Sequence, residues 1–330
     1  MKVKDFDFSN SRSKVKVLVD GISLKITLGT LVPGDNLPSI NDMSALLYVS
    51  RDTVFKAYKE LKQLELIEST PMKGYYVTGK VKRILLLLDT YSSFKQALYK
   101  QFVANLSGDY KVDLIFHQYN RRLFETIIKE SIGKYSLYVV MNFSNDILSP
   151  VIKKLPAHQL LLLDFGNFDK SGYNYICQDF DTAFYNCLLS VREQLAKYKQ
   201  ICFVMPGEHA HPLCSIDAVK RFGALTSTPC TVIQTDSDWK GVNPSTLYIG
   251  IVREDIVSII KSADEKGLKL GSDIGLLIYN EEPLLEVIKN GISSVSIDFG
   301  LLGEKAAHFV MTRETVQEYI PTHINLRASL

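Results

Sequence analysis

The sequence predicts an α/β protein. A helical N-terminal module over residues 1–80, closed by a β-hairpin, precedes two doubly wound parallel sheets over residues 81–330. Three observations carry this reading. The hydrophobic period changes near residue 80, from helical spacing to short apolar runs. From residue 83 those runs alternate with amphipathic helical stretches, the pattern of βαβ units. The composition, 330 residues with 46% hydrophobic and 22% charged side chains, sits near the globular average, which excludes disorder, collagen-like repeats and coiled-coil rods. The length suits about two domains of roughly 150 residues.

Each N-terminal element has a local reason to form. Val15, Leu18, Val19, Ile22 and Ile26 follow the i, i+3, i+4, i+7 spacing of a helix burying one stripe, and Gly29 stands where it should stop. "VPGDNLPS" reads as a turn, with Pro33-Gly34 supplying its geometry and Ser39 capping a short helix over 39–47. Ser50 caps the next helix. Val54, Ala57, Tyr58 and Leu61 mark its buried stripe, which leaves Arg51, Thr53, Phe55, Lys56 and Lys59 on other faces. "LIES" and "GYYVTG", separated by "TPMK", read as two strands of a hairpin.

Beyond residue 83, a first run of candidate strands comprises "RILLLLD", "KVDLIFHQ", "SLYVVMNF", "QLLLLDF" and "YNYICQD". A second comprises "QICFVMP", "CTVIQT", "TLYIGIV", "DIGLLIY" and "SVSIDF". Two runs of five predict two similar lobes, with ligands expected beyond the carboxyl ends of the strands.

Apolar runs such as "ILLLLD" (84–89) and "LLLLDF" (160–165) are far shorter than the roughly 18 residues of a membrane span. The first twenty residues mix both charges and contain no apolar block of signal-peptide length, so a cytoplasmic protein is expected, with no membrane partner. The five cysteines, at 177, 187, 202, 214 and 230, show no C-x-x-C pairing and read as reduced, mostly buried thiols. Residues 1–80 carry 12 Lys and Arg against 9 Asp and Glu, and this small local excess of positive charge points the N-terminal module toward polyanions.

The stretches "ITLGTLVPGDNLPS" (26–39), "YVSRDTVFKAYKELKQLELI" (48–67) and "KGYYV" (73–77) make residues 15–78 resemble the GntR-type winged helix, a helix-turn-helix followed by a β-hairpin. That resemblance implies a DNA-binding set of Ser39, Ser50, Arg51, Thr53, Lys56, Lys73, Gly74 and Tyr75. A helix entering the major groove places Arg51 and Thr53 near phosphates and base edges, with Lys56 a turn further along. Gly74 permits the tight wing turn. Asn41 stands where the family usually has an arginine, so one family contact is missing or replaced.

Residues 83–327 look like the effector domain of LacI/GalR-type repressors, itself similar to periplasmic sugar-binding proteins. The resemblance rests on "TLYIGIVREDIVSIIKSADEKGLKLGSDIGLLIYNEE" (246–282), "ISSVSIDFGLLGEKAAHFV" (292–310) and "THINLRASL" (322–330). Val252-Arg253 stands where many members have Asn-Asp, which implies a different polarity at the ligand. The candidate ligand-binding residues are Asp89, Asp164, Gln178, Asp179, Arg253 and Asn280 at strand ends, with Asp298 a further polar group there. The lone tryptophan, Trp239, is a candidate aromatic wall for a sugar ring or, equally, a packed core residue. Asp89 and Asp164 read as well as caps of the helices that follow. For a neutral sugar Arg253 needs a neighbouring carboxylate, and for an acidic or phosphorylated ligand it could bind directly.

His209 and His211 lack a third ligand at metal-binding spacing, and no metal or cofactor is expected. Phosphate-loop, nucleophile-elbow, zinc-protease and dinucleotide motifs are all missing, so the expected function is not enzymatic. It is a sequence-specific transcription regulator, by resemblance a repressor and a homodimer on a two-fold operator, controlled by a monosaccharide between the lobes. The alternatives are a sensor of an acidic or phosphorylated metabolite, or a GntR-type fusion to an aminotransferase-like enzyme domain. About 250 residues is short for the latter, and two five-strand runs do not fit it.

Overall fold

The computed structural model describes residue 6 and residues 13–27, 29–79, 82–164, 166–206, 211–234 and 239–330. Helix α1 (Lys14–Thr27) buries Leu18, Val19 and Ile22 completely, and Gly29 beyond it adopts a positive φ of 69°. Helix α2 (Ile40–Leu47) starts at Ser39, whose hydroxyl accepts from the Asp42 amide at 3.2 Å. Helix α3 (Arg51–Gln63) starts at Ser50, which accepts from the Thr53 amide at 3.1 Å. Both caps satisfy amides that have no partner inside their helix. Val54, Ala57, Tyr58 and Leu61 are fully buried. The Tyr58 hydroxyl donates to the Pro38 carbonyl at 2.8 Å, tying α3 to the turn before α2, and burial raises its pKa well above that of an ordinary phenol. Strands β1 (Ile67–Thr70) and β2 (Gly74–Val77) pair antiparallel, with Ile67 opposite Val77 and Thr70 opposite Gly74. Gly74 has a φ of 72°, which only glycine adopts without strain.

From residue 82 the chain runs β3 (Lys82–Leu88), α4 (Ser93–Ala104), β4 (Tyr110–Phe116), α5 (Arg121–Ser131), β5 (Leu137–Val140), β6 (Leu160–Asp164) and β7 (Asn174–Cys177). It continues with α6 (Thr182–Ser190), α7 (Arg192–Leu195), β8 (Gln200–Met205), α8 (Cys214–Thr226), β9 (Cys230–Gln234), β10 (Thr246–Gly250), α9 (Arg253–Glu265) and β11 (Gly275–Tyr279). The last elements are β12 (Ser293–Ile297), α10 (Phe299–Thr312), β13 (Gln317–Tyr319) and β14 (Thr322–Asn325). The strands form two six-stranded sheets, ordered β13-β7-β6-β5-β3-β4 and β14-β12-β11-β10-β8-β9.

All ten strands expected from the sequence are present, and each sheet gains a sixth from residues 317–325. Strand β13 runs parallel to β7, and β14 runs antiparallel to β12. Both are too short to show a period of their own.

The chain divides into two compact units. One comprises residues 1–88, 106–140 and 150–161, the other residues 89–105, 141–149 and 162–330. In the first, β3 lies between β4 and β5, with Leu86 paired to Leu114 and to Val139. Ile84 to Leu88 are all fully buried, the near-continuous apolar run expected of a strand covered on both faces.

In the second unit α4 and α10 pack closely. An added Cβ on Gly303 would lie 3.1 Å from the Phe102 amide nitrogen and closer still to the Leu98 carbonyl oxygen. Gly303→Ala should therefore force the two helices apart and lower stability by about 1–3 kcal/mol. Thermal unfolding measures this, and an unchanged Tm would show that the helices can separate freely.

Candidate functional site

On the N-terminal module, the exposed side of α3 presents Arg51, Asp52, Phe55, Lys56 and Lys59. Lys56 pairs with Asp52 at 2.7 Å across one turn. Both side chains are solvated, so the pair is weak. The Thr53 hydroxyl lies 2.7 Å from Ser50 Oγ and belongs to the cap. Ser39 is occupied in the same way, donating to the Asp42 carboxylate at 2.6 Å. On the hairpin the Lys73 ammonium sits 4.2 Å from the centre of the Tyr76 ring. Tyr75 packs on Tyr58 with ring centroids 4.6 Å apart, so most of that ring serves the core.

In the second unit three of the strand-end residues meet around a side chain that the sequence did not single out. Lys95, in the first turn of α4 and only 4% exposed, donates to both oxygens of Asp89 at 2.8 and 2.9 Å and to Asp164 at 3.2 Å. Burial opposes the ammonium, but the attraction of the two carboxylates outweighs it and raises the Lys95 pKa. Asp164 is also raised, by burial first and by Asp89 as well, against the opposing pull of Lys95 and Gln178. Asp89 grips the ammonium through both oxygens, Asp164 through one. Gln178 donates its side-chain amide to Asp164. Asp164 (φ 64°) and Asn280 (φ 74°) both adopt the left-handed conformation where their strands end, which Asp and Asn tolerate better than most residues.

Asp179 has a structural role. Its carboxylate accepts from the backbone amides of Asp181, Thr182 and Ala183 at 2.9–3.2 Å and so opens α6. Asp298 likewise accepts from the Leu301 amide at the start of α10, while also lining a cavity of about 440 Å³ with Phe94, Lys100 and His323. Arg253 is mostly exposed and pairs with Glu282 at 2.6 Å, with a further bond to Ser93 Oγ at 3.0 Å. Trp239 is half-buried and meets Tyr248 edge-on at 6.1 Å, against the cluster containing Val242, Ile256 and Ile259. His209 lies outside the described residues, and among those described no group of three or more His, Cys, Asp or Glu is placed to hold a metal.

Around this centre several buried polar atoms have no hydrogen-bond partner: Asn145 Nδ2, Gln178 Oε1, His211 Nε2, the Tyr279 hydroxyl and Asn280 Oδ1. Asn145 and Gln178 line one small cavity with Phe180 and Cys214, and Tyr279 and Asn280 line another with Phe94 and Arg253. Phe180 stacks on Tyr279 at 5.6 Å, and His211 meets both rings edge-on at 5.4 and 4.8 Å. Burial lowers the His211 pKa to about 3 and raises that of Tyr279 far above the ordinary phenol value. Both side chains are therefore neutral hydrogen-bonding groups at physiological pH. Lys170, the other buried lysine here, turns its ammonium onto the Gly166 and Phe168 carbonyls under the rings of Tyr175 and Tyr319.

Residues 15–77 match the family model of bacterial regulatory proteins of the gntR family. This segment is a GntR-type helix-turn-helix module. Within it the chain is 36% identical over 58 residues to the HTH-type transcriptional repressor YtrA of Bacillus subtilis, covering 18% of this chain and 45% of that protein. It is 49% identical over 47 residues to the uncharacterized HTH-type regulator YcxD of the same organism, covering 14% of this chain and 11% of that one. The chain thus spans less than half the length of either curated relative.

Beyond the GntR-type module the likeness is one of fold. The trehalose repressor of Escherichia coli superimposes with a TM-score of 0.59 at 14% identity, covering 74% of this chain and 99% of that one. A LacI family regulator from Lactobacillus casei with bound glucose gives 0.61 at 15% identity, over 76% of this chain and all of the other. The segment after the GntR-type module therefore shares the fold of these structures, where an aminotransferase-like domain was the alternative.

Sequence reasoning found the two carboxylates of the buried ion cluster but missed Lys95, Asn145, His211 as a buried base, and Tyr279. The signals available were weak: a lysine six residues after Asp89, and a tyrosine directly before the strand-end Asn280.

His211 gives a pH dependence of defined sign. Its folded pKa of about 3 lies below the ordinary value of 6.5, so the unfolded chain binds a proton that the folded chain does not. Stability is then lost as pH falls below about 6.5, by up to roughly 1.4 kcal/mol per unit. His211→Phe should remove about 2 kcal/mol of acid sensitivity at pH 5. Denaturant unfolding at pH 7.5 and pH 5 tests this, and equal pH slopes for wild type and variant would contradict it.

Proposed function

We propose that the chain is a sequence-specific DNA-binding transcription regulator whose operator affinity is set by a small, neutral, polyhydroxylated effector, most simply a monosaccharide. The observation that carries the effector class is the set of buried, uncharged and unpartnered groups on Asn145, Gln178, His211, Tyr279 and Asn280, beside charges that already have partners. Lys95 is held by Asp89 and Asp164, Arg253 by Glu282, and Asp179 by three backbone amides. A ligand with several hydroxyls supplies both donors and acceptors to such a set. An anionic ligand at the Lys95 cluster would meet two carboxylates and an ammonium already bound to both. Repression, rather than activation, follows the names of the relatives YtrA and the trehalose repressor. Trp239 takes no part in this reading, since its ring packs on Tyr248.

Effector binding and DNA binding are coupled reciprocally, typically by about 1–3 kcal/mol. Thermal shift against matched neutral and phosphorylated monosaccharides tests the effector class. A neutral sugar at about 100 times its Kd should add about 2.7 kcal/mol of stability, while stabilisation only by phosphorylated sugars would overturn the assignment.

The DNA-binding half of the proposal rests on α3. A homodimer would place two such helices on a two-fold site, since one reads too few base pairs for useful specificity. Selection from random duplexes by the full chain should yield an inverted repeat. Arg51→Ala should weaken binding to that repeat by about 1–3 kcal/mol if its side chain reads a base. Enrichment of a single unrepeated half-site would remove the dimer, and undiminished affinity of a folded Arg51→Ala variant would remove the contact.

A further inference from the structure

The exposed side of α3 contains one residue that does not fit a purely polar DNA contact. Phe55 is 51% exposed in the second turn of the helix, while its exposed neighbours are Arg51, Asp52, Lys56, Lys59, Lys62 and Gln63. The core has not recruited it, because Val54, Ala57, Tyr58 and Leu61 fill the buried stripe completely. A phenylalanine kept half in water gives up much of the stabilisation that full burial would supply. Four residues separate Phe55 from Arg51, so the two side chains rise from the same stripe, about 6 Å apart along the axis. If Arg51 faces base edges, Phe55 faces them too.

In the major groove the only apolar group a base presents is the C5-methyl of thymine, and an apolar side chain against that methyl is one of the direct pairings. We propose that Phe55 is a specificity-determining residue that packs on the C5-methyl of an operator thymine within about two base pairs of the base read by Arg51. This rests on the reading of α3 as the DNA-contacting helix and adds the identity of a base that this reading leaves open. The contact is hydrophobic, so unlike those of Lys56 or Lys73 it should depend little on salt.

Uracil is thymine without the methyl, so replacing each thymine of the selected operator by uracil, one at a time, removes only the proposed contact. One position per half-site should weaken binding of the full-length wild type roughly fourfold, the factor given by about 0.8 kcal/mol for one buried methyl. Phe55→Ala should bind the unmodified operator more weakly and be indifferent to uracil at that position, whereas Phe55→Leu should keep part of the discrimination. Circular dichroism melting of both variants reports whether they fold. An operator with no thymine at that distance, no thymine sensitive to demethylation, or equal sensitivity in wild type and Phe55→Ala would each overturn the proposal. In those cases, loss of affinity in Arg51→Ala would still uphold the DNA-binding reading. A change in the sedimentation of the free Phe55→Ala chain would assign the ring to a protein interface and overturn the proposal as well. Failure of the wild type to enrich any duplex would overturn the regulator reading itself.

Discussion

The arrangement of the candidate effector site depends on keeping one ammonium charged away from water. Lys95 is held between Asp89 and Asp164, with the Met141 sulfur at 3.1 Å on another side. This fixes the residue that follows β3, the first turn of α4 and the end of β6 in one geometry. Loss of Lys95 would leave two buried carboxylates facing each other without a cation, and breaking a buried ion pair commonly costs about 3–5 kcal/mol. Two carboxylates against one ammonium also leave an excess of negative charge, and the raised pKa of Asp164 reflects its burial first and the neighbouring Asp89 as a smaller contribution. With the ions turned toward one another, the ligand contacts proposed above fall to neutral groups. A phenol, an imidazole and amides can discriminate hydroxyl patterns without having to strip water from a further charge.

Most of the fold was legible because it follows from period and caps. The 3.6-residue stripe of Val54, Ala57, Tyr58 and Leu61, bounded by Ser50, fixed α3, and apolar runs separated by amphipathic stretches fixed ten of the strands. The ion cluster was legible only in part. Asp89 and Asp164 stand out because carboxylates end apolar strands, but a lysine in the first turn of an amphipathic helix reads as solvated unless the packing around it is known. Trp239 shows the converse. A lone tryptophan in a polar loop reads equally as a ligand wall or a packed residue, and the cluster it packs against is made by Val242, Tyr248, Ile256 and Ile259, residues whose convergence is a property of the tertiary fold. Asp179 stands out in the sequence for its place at a strand end, whereas the three amides it accepts from lie at the start of α6. Strands β13 and β14 were invisible to pattern, since three or four residues cannot establish an alternation.

Those two short strands govern the order in which the molecule can be completed. Residues 317–325 supply an edge to each sheet, β13 beside β7 and β14 beside β12. The Val316 amide bonds the Asn174 side chain across 142 residues of sequence. Farther along, Ser329 accepts from the Ser293 amide and its carbonyl accepts from the Leu276 amide, at 2.8 and 2.9 Å. During synthesis β7 therefore waits, with one row of backbone donors and acceptors open, while the strands and helices from β8 to α10 are made. An open strand edge is a template for pairing with another chain, and long-range closure of this kind is slow relative to local helix formation. Between translation of β7 and of β13 a nascent chain therefore carries this edge open to mispairing, which a holding chaperone would cover.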